Sequence, residues 1–313
     1  MNHSIATPLC YIINNSLKEG IFPESWKIAK CIPIFKNKGT RKEKEFYRPV
    51  SLLKATSKVI EKIVHKKLLH FFESNNLFPP SQHGFRKGRS TFSAVSQMYE
   101  QWITNKEKKM QQAVSFLDLS AAFDTISKDI ICQKMKVYGC DNTSVKWVNS
   151  YLSRRRQQVM IGSTLSEPVE LQLGSPQGSI LSPTLFIIMI SDIELYCPNA
   201  ELSGYADDTS CTVAIKHKEH LKDECEKNVN SLLKYMAINQ LACNDDKTHI
   251  LVIHHGQGNE EKISFQIGEF MIEESTSERL LGAWINNDLS WSTHIKKLED
   301  ELNYRLYKLR RIE

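Results

Sequence analysis

ELSGYADDTSCTVAI, residues 201–215, holds two short strand-like runs, 201–206 and 209–215, that meet at Asp207-Asp208. Runs of this length on either side of a turn read as a β-hairpin, here with two carboxylates at its tip. Taken alone, paired aspartates at a turn are ordinary turn residues, because Asp hydrogen-bonds its own backbone there. A second stretch changes that weighing. AVSFLDL, residues 113–119, is an apolar run with one acid near its end, as expected of a buried strand that delivers Asp118 at its edge. Three acids then converge, and like charges at close range raise a carboxylate pKa unless a cation lies between them. Hard oxygen donors of this kind suit Mg²⁺, and two such ions about 3.5–4 Å apart can serve both oxygens of an in-line phosphoryl displacement.

Working outward, residues 57–75 carry Ile60, Ile63, Val64, Leu68, Phe71 and Phe72 at helical spacing, with Lys58, Lys62, Lys66 and Lys67 between them. This is an amphipathic helix with a basic outer face. LFPPSQHGFRKGRST, residues 77–91, is rich in Pro, Gly and Ser and reads as a basic loop, the kind of segment that often touches ligands. Residues 129–152 read as helical and lead into SRRRQQVMIG (153–162), where three arginines make a second basic patch before a strand-like run. TLFIIMI (184–190) is too short to span a bilayer, which takes roughly 18 apolar residues, and reads as a buried helix. A long helix is expected over 220–239, strand-like segments over ISFQIGEFMI and RLLGAWI, and a final helix from Ser292 with a stripe of Ile295, Leu298, Leu302, Leu306 and Leu309. That stripe runs on to Glu313 without a cap, so the chain reads as a fragment. The irregular alternation of strands and helices favours an α+β architecture over a regular parallel βαβ series.

Composition narrows the setting. The 313 residues are 41% hydrophobic, enough for a sizeable core. A net charge of +5, from 41 Lys+Arg against 36 Asp+Glu, permits an anionic partner without demanding one. The eight cysteines form no C-x-x-C pair, which suggests neither a zinc site nor a disulfide framework and points to a reducing, intracellular setting, cytoplasm or nucleus. No secretory leader or membrane span is expected.

Seven segments in a fixed order carry a resemblance over nearly the whole chain. FLDLSAAFDTI (116–126), LGSPQGSILSPTLF (173–186) and YADD (205–208) resemble motifs A, B and C of reverse transcriptases. FPESWKIAKCIPIFKNKG with YRPVSLL, and then QHGFRKGRST, resemble the fingers motifs of the non-LTR, jockey-like retrotransposon enzymes; NQLACNDDKTHILV and LLGAWINNDLSWSTHI resemble the next palm motif and the primer-contacting segment. The resemblance implies a right-hand polymerase fold: an N-terminal helical extension at 1–25, fingers and palm at 26–285, and only the start of a thumb at 286–313. It implies an RNA-directed DNA polymerase that takes an RNA template, a DNA or RNA primer and dNTPs. Two Mg²⁺ ions are implied, with Mn²⁺ as a substitute. The alternative is a catalytically inactive RNA-binding remnant of a retroelement.

Carried over residue by residue, the resemblance makes Asp118, Asp207 and Asp208 the catalytic acids and metal ligands, and adds the Leu119 carbonyl as a backbone ligand. Phe123 is the aromatic set against the sugar, where a bulky ring would clash with a 2′-hydroxyl. Arg86 grips the triphosphate, a task suited to a bidentate guanidinium. Gln177 and Gly178 lie beneath the incoming base, Lys247 protonates the leaving pyrophosphate, and Leu281-Gly282 position the primer end. The sequence departs from the family pattern at Ala121, Ser175 and Ser127-Lys128, none of which removes a metal ligand.

Overall fold

In the computed structural model, which describes residues 3–120, 122–244, 247–254 and 262–311, the apolar run around Asp118 is an inner strand paired on both sides, as its lack of a polar face requires. Ala121 lies outside the described residues. The helices are α1 (His3–Glu19), α2 (Ala55–Ser74), α3 (Thr91–Glu107), α4 (Lys128–Val137), α5 (Asn142–Leu152), α6 (Ser182–Met189), α7 (Leu221–Ile238) and α8 (Ser292–Leu309). The strands are β1 (Ile28–Phe35), β2 (Tyr47–Leu52), β3 (Gln111–Ser120), β4 (Arg155–Ile161), β5 (Thr164–Leu165), β6 (Val169–Leu171) and β7 (Glu201–Tyr205). They continue with β8 (Asp208–Ile215), β9 (Ala242–Cys243), β10 (His249–Ile253), β11 (Ser264–Ile267), β12 (Phe270–Ser275), β13 (Ser277–Leu280) and β14 (Ala283–Asn286).

The chain divides into two units. The first takes Met1–Pro79, Ala121–Asp192 and Ile238–Ala242; the second takes Pro80–Ser120, Ile193–Ala237 and Cys243–Glu313.

In the first unit β1 is antiparallel to β2 and parallel to β4, and β4 also pairs with β5 and β6. Its core is aromatic: Phe22, fully buried, meets Trp147 and Tyr151 edge-on at 5.5 and 5.0 Å between centroids, a preferred ring geometry. α6 is apolar all round and buried along its length, which is where such a helix must go. The expected continuous helix over 129–152 is instead two, α4 and α5. Gly139 takes a left-handed φ of +83° that ends α4, and the Asp141 carboxylate accepts hydrogen bonds from Thr143 and Ser144 N–H at 2.9 Å to start α5. The arginine cluster is also not one surface patch. Arg155 is 2% exposed, donates to the Tyr151 carbonyl at 3.0 Å and lies over the Tyr151 ring, while Arg154 and Arg156 are exposed.

In the second unit the sheet runs β11-β12-β10-β3-β8-β7. Adjacent residues of β3 point to opposite faces. Val114 joins Ala94, Met98 and Trp102 of α3 in a buried cluster with Leu251, Ile253, Leu280 and Ile285. Ser115 faces the other way, 3.4 Å from Cys225 Sγ of α7. Trp102 is fully buried and its Nε1–H donates to Thr212 Oγ1 at 2.9 Å, so its one polar atom is satisfied. The two strand-like segments are hairpins. Gly268 (φ +58°) turns between β11 and β12, and Leu281-Gly282 turns between β13 and β14. Among the described residues, no helix is long and apolar enough to cross a membrane.

Candidate active site

The register of β3 against β8 sets Asp118 directly opposite Asp208, which puts their β-carbons roughly 4.5–5.5 Å apart. On the other side β7 pairs Tyr205 with Asp208, leaving Ala206 and Asp207 as a two-residue turn. The strand therefore starts at Asp208, one residue earlier than its apolar pattern indicated, because Asp208 is held in the ladder from both sides. Crowding shows in the electrostatics. Loss of water around the Asp208 carboxyl, then the Asp207 and Asp118 charges, push its pKa up to about 6, against the pull of Lys247. Asp207 is raised as well, first by burial and then by Asp118.

Lys247 answers part of this charge. Its ammonium donates to Asp118 Oδ2 at 2.5 Å. Among the described residues no group of three or more His, Cys, Asp or Glu side chains is positioned to hold a metal ion. The donor chemistry nonetheless fits a hard divalent cation. Three carboxylates lie at or beside one cross-strand pair, two of them are held above their ordinary pKa, and the third already draws a cation.

Asp118, Asp208 and Lys247 line a cleft of about 260 Å³ together with Leu281 and Arg279. Leu281 and Gly282 both take positive φ, +49° and +97°, in the two-residue turn after Leu280, the backbone of a type I′ hairpin. Leu119 is buried on β3 one residue past Asp118. Arg86 lies on the loop before α3 and donates from Nη1 to the Gln82 carbonyl at 3.3 Å. All of these residues belong to the second unit.

Phe123, Gln177 and Gly178 belong to the first unit. Phe123 is half-buried against Phe186 of α6 at 5.6 Å between centroids. Its carbonyl accepts from Ser175 N–H, and Gly174 N–H donates to the Ile126 carbonyl, so the stretch after Phe123 and the loop before α6 are stitched together. Gln177 Nε2 donates to both oxygens of Asp124, at 3.1 and 2.9 Å. That fixes the orientation of the amide and turns its carbonyl oxygen away from Asp124. Gly178 has φ +112°, and a β-carbon there would lie 2.9 Å from the Ser51 carbonyl oxygen, so only glycine fits. Ser175 buries a hydroxyl with no hydrogen-bond partner among the described residues, which fits the apolar preference it departs from.

Three supporting residues escape a reading by periodicity. Glu61 of α2 is fully buried, and its carboxylate accepts from Ser57 Oγ at 2.5 Å, Ser179 Oγ at 2.7 Å and Ile180 N–H at 3.1 Å, pinning the loop that carries Gln177 and Gly178. Asp124 orients Gln177. Gln82 grips the acidic turn, its Oε1 accepting from Ala206 N–H at 3.1 Å and its Nε2 donating to the Ala206 carbonyl at 3.5 Å. An acid on the core face of an amphipathic helix was the signal for Glu61; the other two depend on partners distant in sequence.

Comparison with known proteins meets this geometry. The family model of reverse transcriptase (RNA-dependent DNA polymerase) matches residues 36–285. The chain is 26% identical, over 96% of its length, to the probable RNA-directed DNA polymerase from transposon BS of Drosophila melanogaster. It is 25% identical, over 96% of its length, to the RNA-directed DNA polymerase from mobile element jockey of the same species. It spans 34% and 33% of those relatives, about a third of their length. Among solved structures, apo telomerase from Candida tropicalis truncated from its C-terminal domain superposes with a TM-score of 0.57 at 14% identity, covering 93% of this chain and 60% of that one, a likeness of fold.

Proposed function

Because this chain belongs to the reverse transcriptase family, we propose that it is the polymerase portion of a jockey-like non-LTR retrotransposon enzyme, extending a primer 3′-hydroxyl with dNTPs on an RNA template. The observation that carries this reading is the Asp118–Asp208 pair across β3 and β8, with Asp207 on the adjoining turn. In this reading 26–285 are fingers and palm, 286–313 begin the thumb, and 1–25 are an N-terminal extension.

Asp118, Asp207 and Asp208, with the Leu119 carbonyl, would hold two Mg²⁺ ions, for which Mn²⁺ can substitute. Bound there, divalent ions supply activation of the primer hydroxyl and neutralise charge on the departing pyrophosphate. The remaining work falls to the chain. Lys247, held at the acidic cleft by Asp118, gives a proton to pyrophosphate as it leaves. Arg86 grips the triphosphate with its guanidinium. Phe123 excludes a 2′-hydroxyl from the sugar. Gln177, oriented by Asp124, presents its carbonyl oxygen, and the Gly178 backbone allows close approach of the base. Leu281 and Gly282 support the primer end at the rim of the cleft that Leu281 lines.

The test is extension of a labelled primer annealed to RNA by the purified chain with four dNTPs and Mg²⁺. Template-coded product that disappears with a chelator is expected. Product formed without template, or none from folded protein over the Mg²⁺ and Mn²⁺ ranges, would overturn the reading.

A further inference from the structure

The hairpin tip that carries Asp207 and Asp208 is held in a backbone conformation its own sequence does not favour. Ala206 has φ +59° and is buried. In a two-residue hairpin turn the first central position with positive φ is a glycine position, because a β-carbon there crowds the neighbouring carbonyl oxygen. Strain of this kind persists where the surroundings over-determine it.

The surroundings are the segment 81–84. The Ser81 carbonyl accepts from Gly204 N–H at 2.9 Å and His83 N–H donates to the Gly204 carbonyl at 2.7 Å, so the segment lies along β7 as a parallel bridge centred on Gln82 and Gly204. From that position the Gln82 amide meets both polar groups of Ala206, accepting from its N–H and donating to its carbonyl, and accepts from Gly84 N–H at 2.7 Å. Gln82 is 2% exposed, so these bonds do not compete with bulk water. Two glycines make the approach possible. A β-carbon on Gly84 would lie 2.2 Å from Ala206 N, and one on Gly204 would lie 2.9 Å from Gln82 Nε2.

We infer that Gln82 is a positioning residue for the catalytic acids, a clamp that holds the strained Ala206 turn and so fixes the backbone that carries Asp207 and Asp208. This rests on the function proposed above, and it extends that function to a residue outside the acidic turn. The same segment leads directly to Arg86, whose Nη1 donates to the Gln82 carbonyl. One clamp therefore ties the triphosphate-binding loop to the metal-binding turn within the second unit.

Three measurements on the full chain test this. In the wild type, amide hydrogen exchange at Ala206 and Gly84 should be as slow as at β3 core amides; exchange as fast as at Gly162, in an open surface turn, would overturn the clamp without any substitution. Gln82→Met keeps the side-chain length and removes every side-chain hydrogen bond, and Gly84→Ala pushes the segment off the turn by a separate route. Partners that orient metal ligands typically matter by about 10–100-fold, so both variants should weaken Mn²⁺ binding, read from the free-ion electron paramagnetic resonance signal, by roughly tenfold or more, with kcat falling and KM for dNTP little changed. A lower melting temperature with unaltered Mn²⁺ affinity and unaltered kcat per folded molecule would make Gln82 merely structural and overturn the inference. Neither exchange nor Mn²⁺ binding requires turnover. A wild-type chain that makes no product therefore counts against the function, while these two readouts still judge the clamp.

Discussion

Asp208 is the residue where backbone pairing, charge and chemistry meet, and its raised pKa has a measurable sign. Its folded pKa of about 6 stands above the ordinary aspartate value of 3.8, so the folded chain keeps a proton that the unfolded chain gives up between those values. The stability this contributes is fully present below about pH 4 and is lost as pH rises through about 6. In metal-free buffer at pH 7.5, Asp208→Asn should therefore stabilise the chain, by about 1 kcal/mol once solvent screening of this partly exposed carboxyl is allowed for. The gain should vanish below pH 4, and thermal melts across the range check both. An equal gain at every pH would mean that the carboxyl is not perturbed. Phe123 supports a second prediction. Its ring is braced by Phe186, so Phe123→Val should open space beside the sugar and raise rNTP use relative to dNTP use. Selectivity is a difference of affinities, and a van der Waals gate of this size shifts it by roughly 1–3 kcal/mol. Competitive incorporation measures it, and unchanged selectivity would remove Phe123 from the sugar pocket.

At the scale of elements, β3 shows what periodicity could and could not supply. Its apolar run announced a buried strand with Asp118 at the end, and the alternation on either side of Asp207-Asp208 announced the hairpin, because both signals are local. Breaks inside helical or strand-like stretches were less legible. Gly139 and the Asp141 cap divide a helical stretch that hydrophobic spacing alone joins, and the turn at Gly268 divides a strand-like one. The supporting contacts were the least legible, since Gln82 to Ala206, Glu61 to Ser179 and Gln177 to Asp124 link positions 124, 118 and 53 residues apart. Nothing local marks a glutamine as a clamp. The packing of α3 on β3 gives the element-scale prediction. Trp102→Ala removes a fully buried indole and its hydrogen bond to Thr212, and should cost about 3–5 kcal/mol. Urea unfolding should show a lower midpoint at an unchanged slope; a cost below 1 kcal/mol would mean that the cluster behind Asp118 is not closely packed.

For the molecule as a whole, the residues proposed for the chemistry are divided between the two units. The second holds the acids, Lys247, Arg86 and the Leu281-Gly282 turn; the first holds Phe123, Gln177 and Gly178. The small positive net charge is supplemented by α2, where Lys58, Lys62 and Lys66 follow one another at one-turn spacing around the apolar Val59 and Ile63. Affinity for an RNA template should therefore fall with salt, with a slope of log affinity against log salt of about −0.7 to −0.9 for each phosphate contacted. Fluorescence anisotropy over a salt series measures it, and a flat response would argue against backbone contacts by the basic segments.

Single-nucleotide extension of a primer on RNA, compared among wild type, Asp118→Asn, Asp207→Asn and Asp208→Asn at saturating Mg²⁺, tests most directly whether the acids of β3 and the β7–β8 hairpin drive nucleotidyl transfer. The wild type should add the templated dNTP, and each variant, confirmed as folded by its thermal melt, should be slower by about a hundredfold or more, the scale of loss when one element of a preorganised electrostatic site is removed. Wild-type rates in all three folded variants would contradict the assignment.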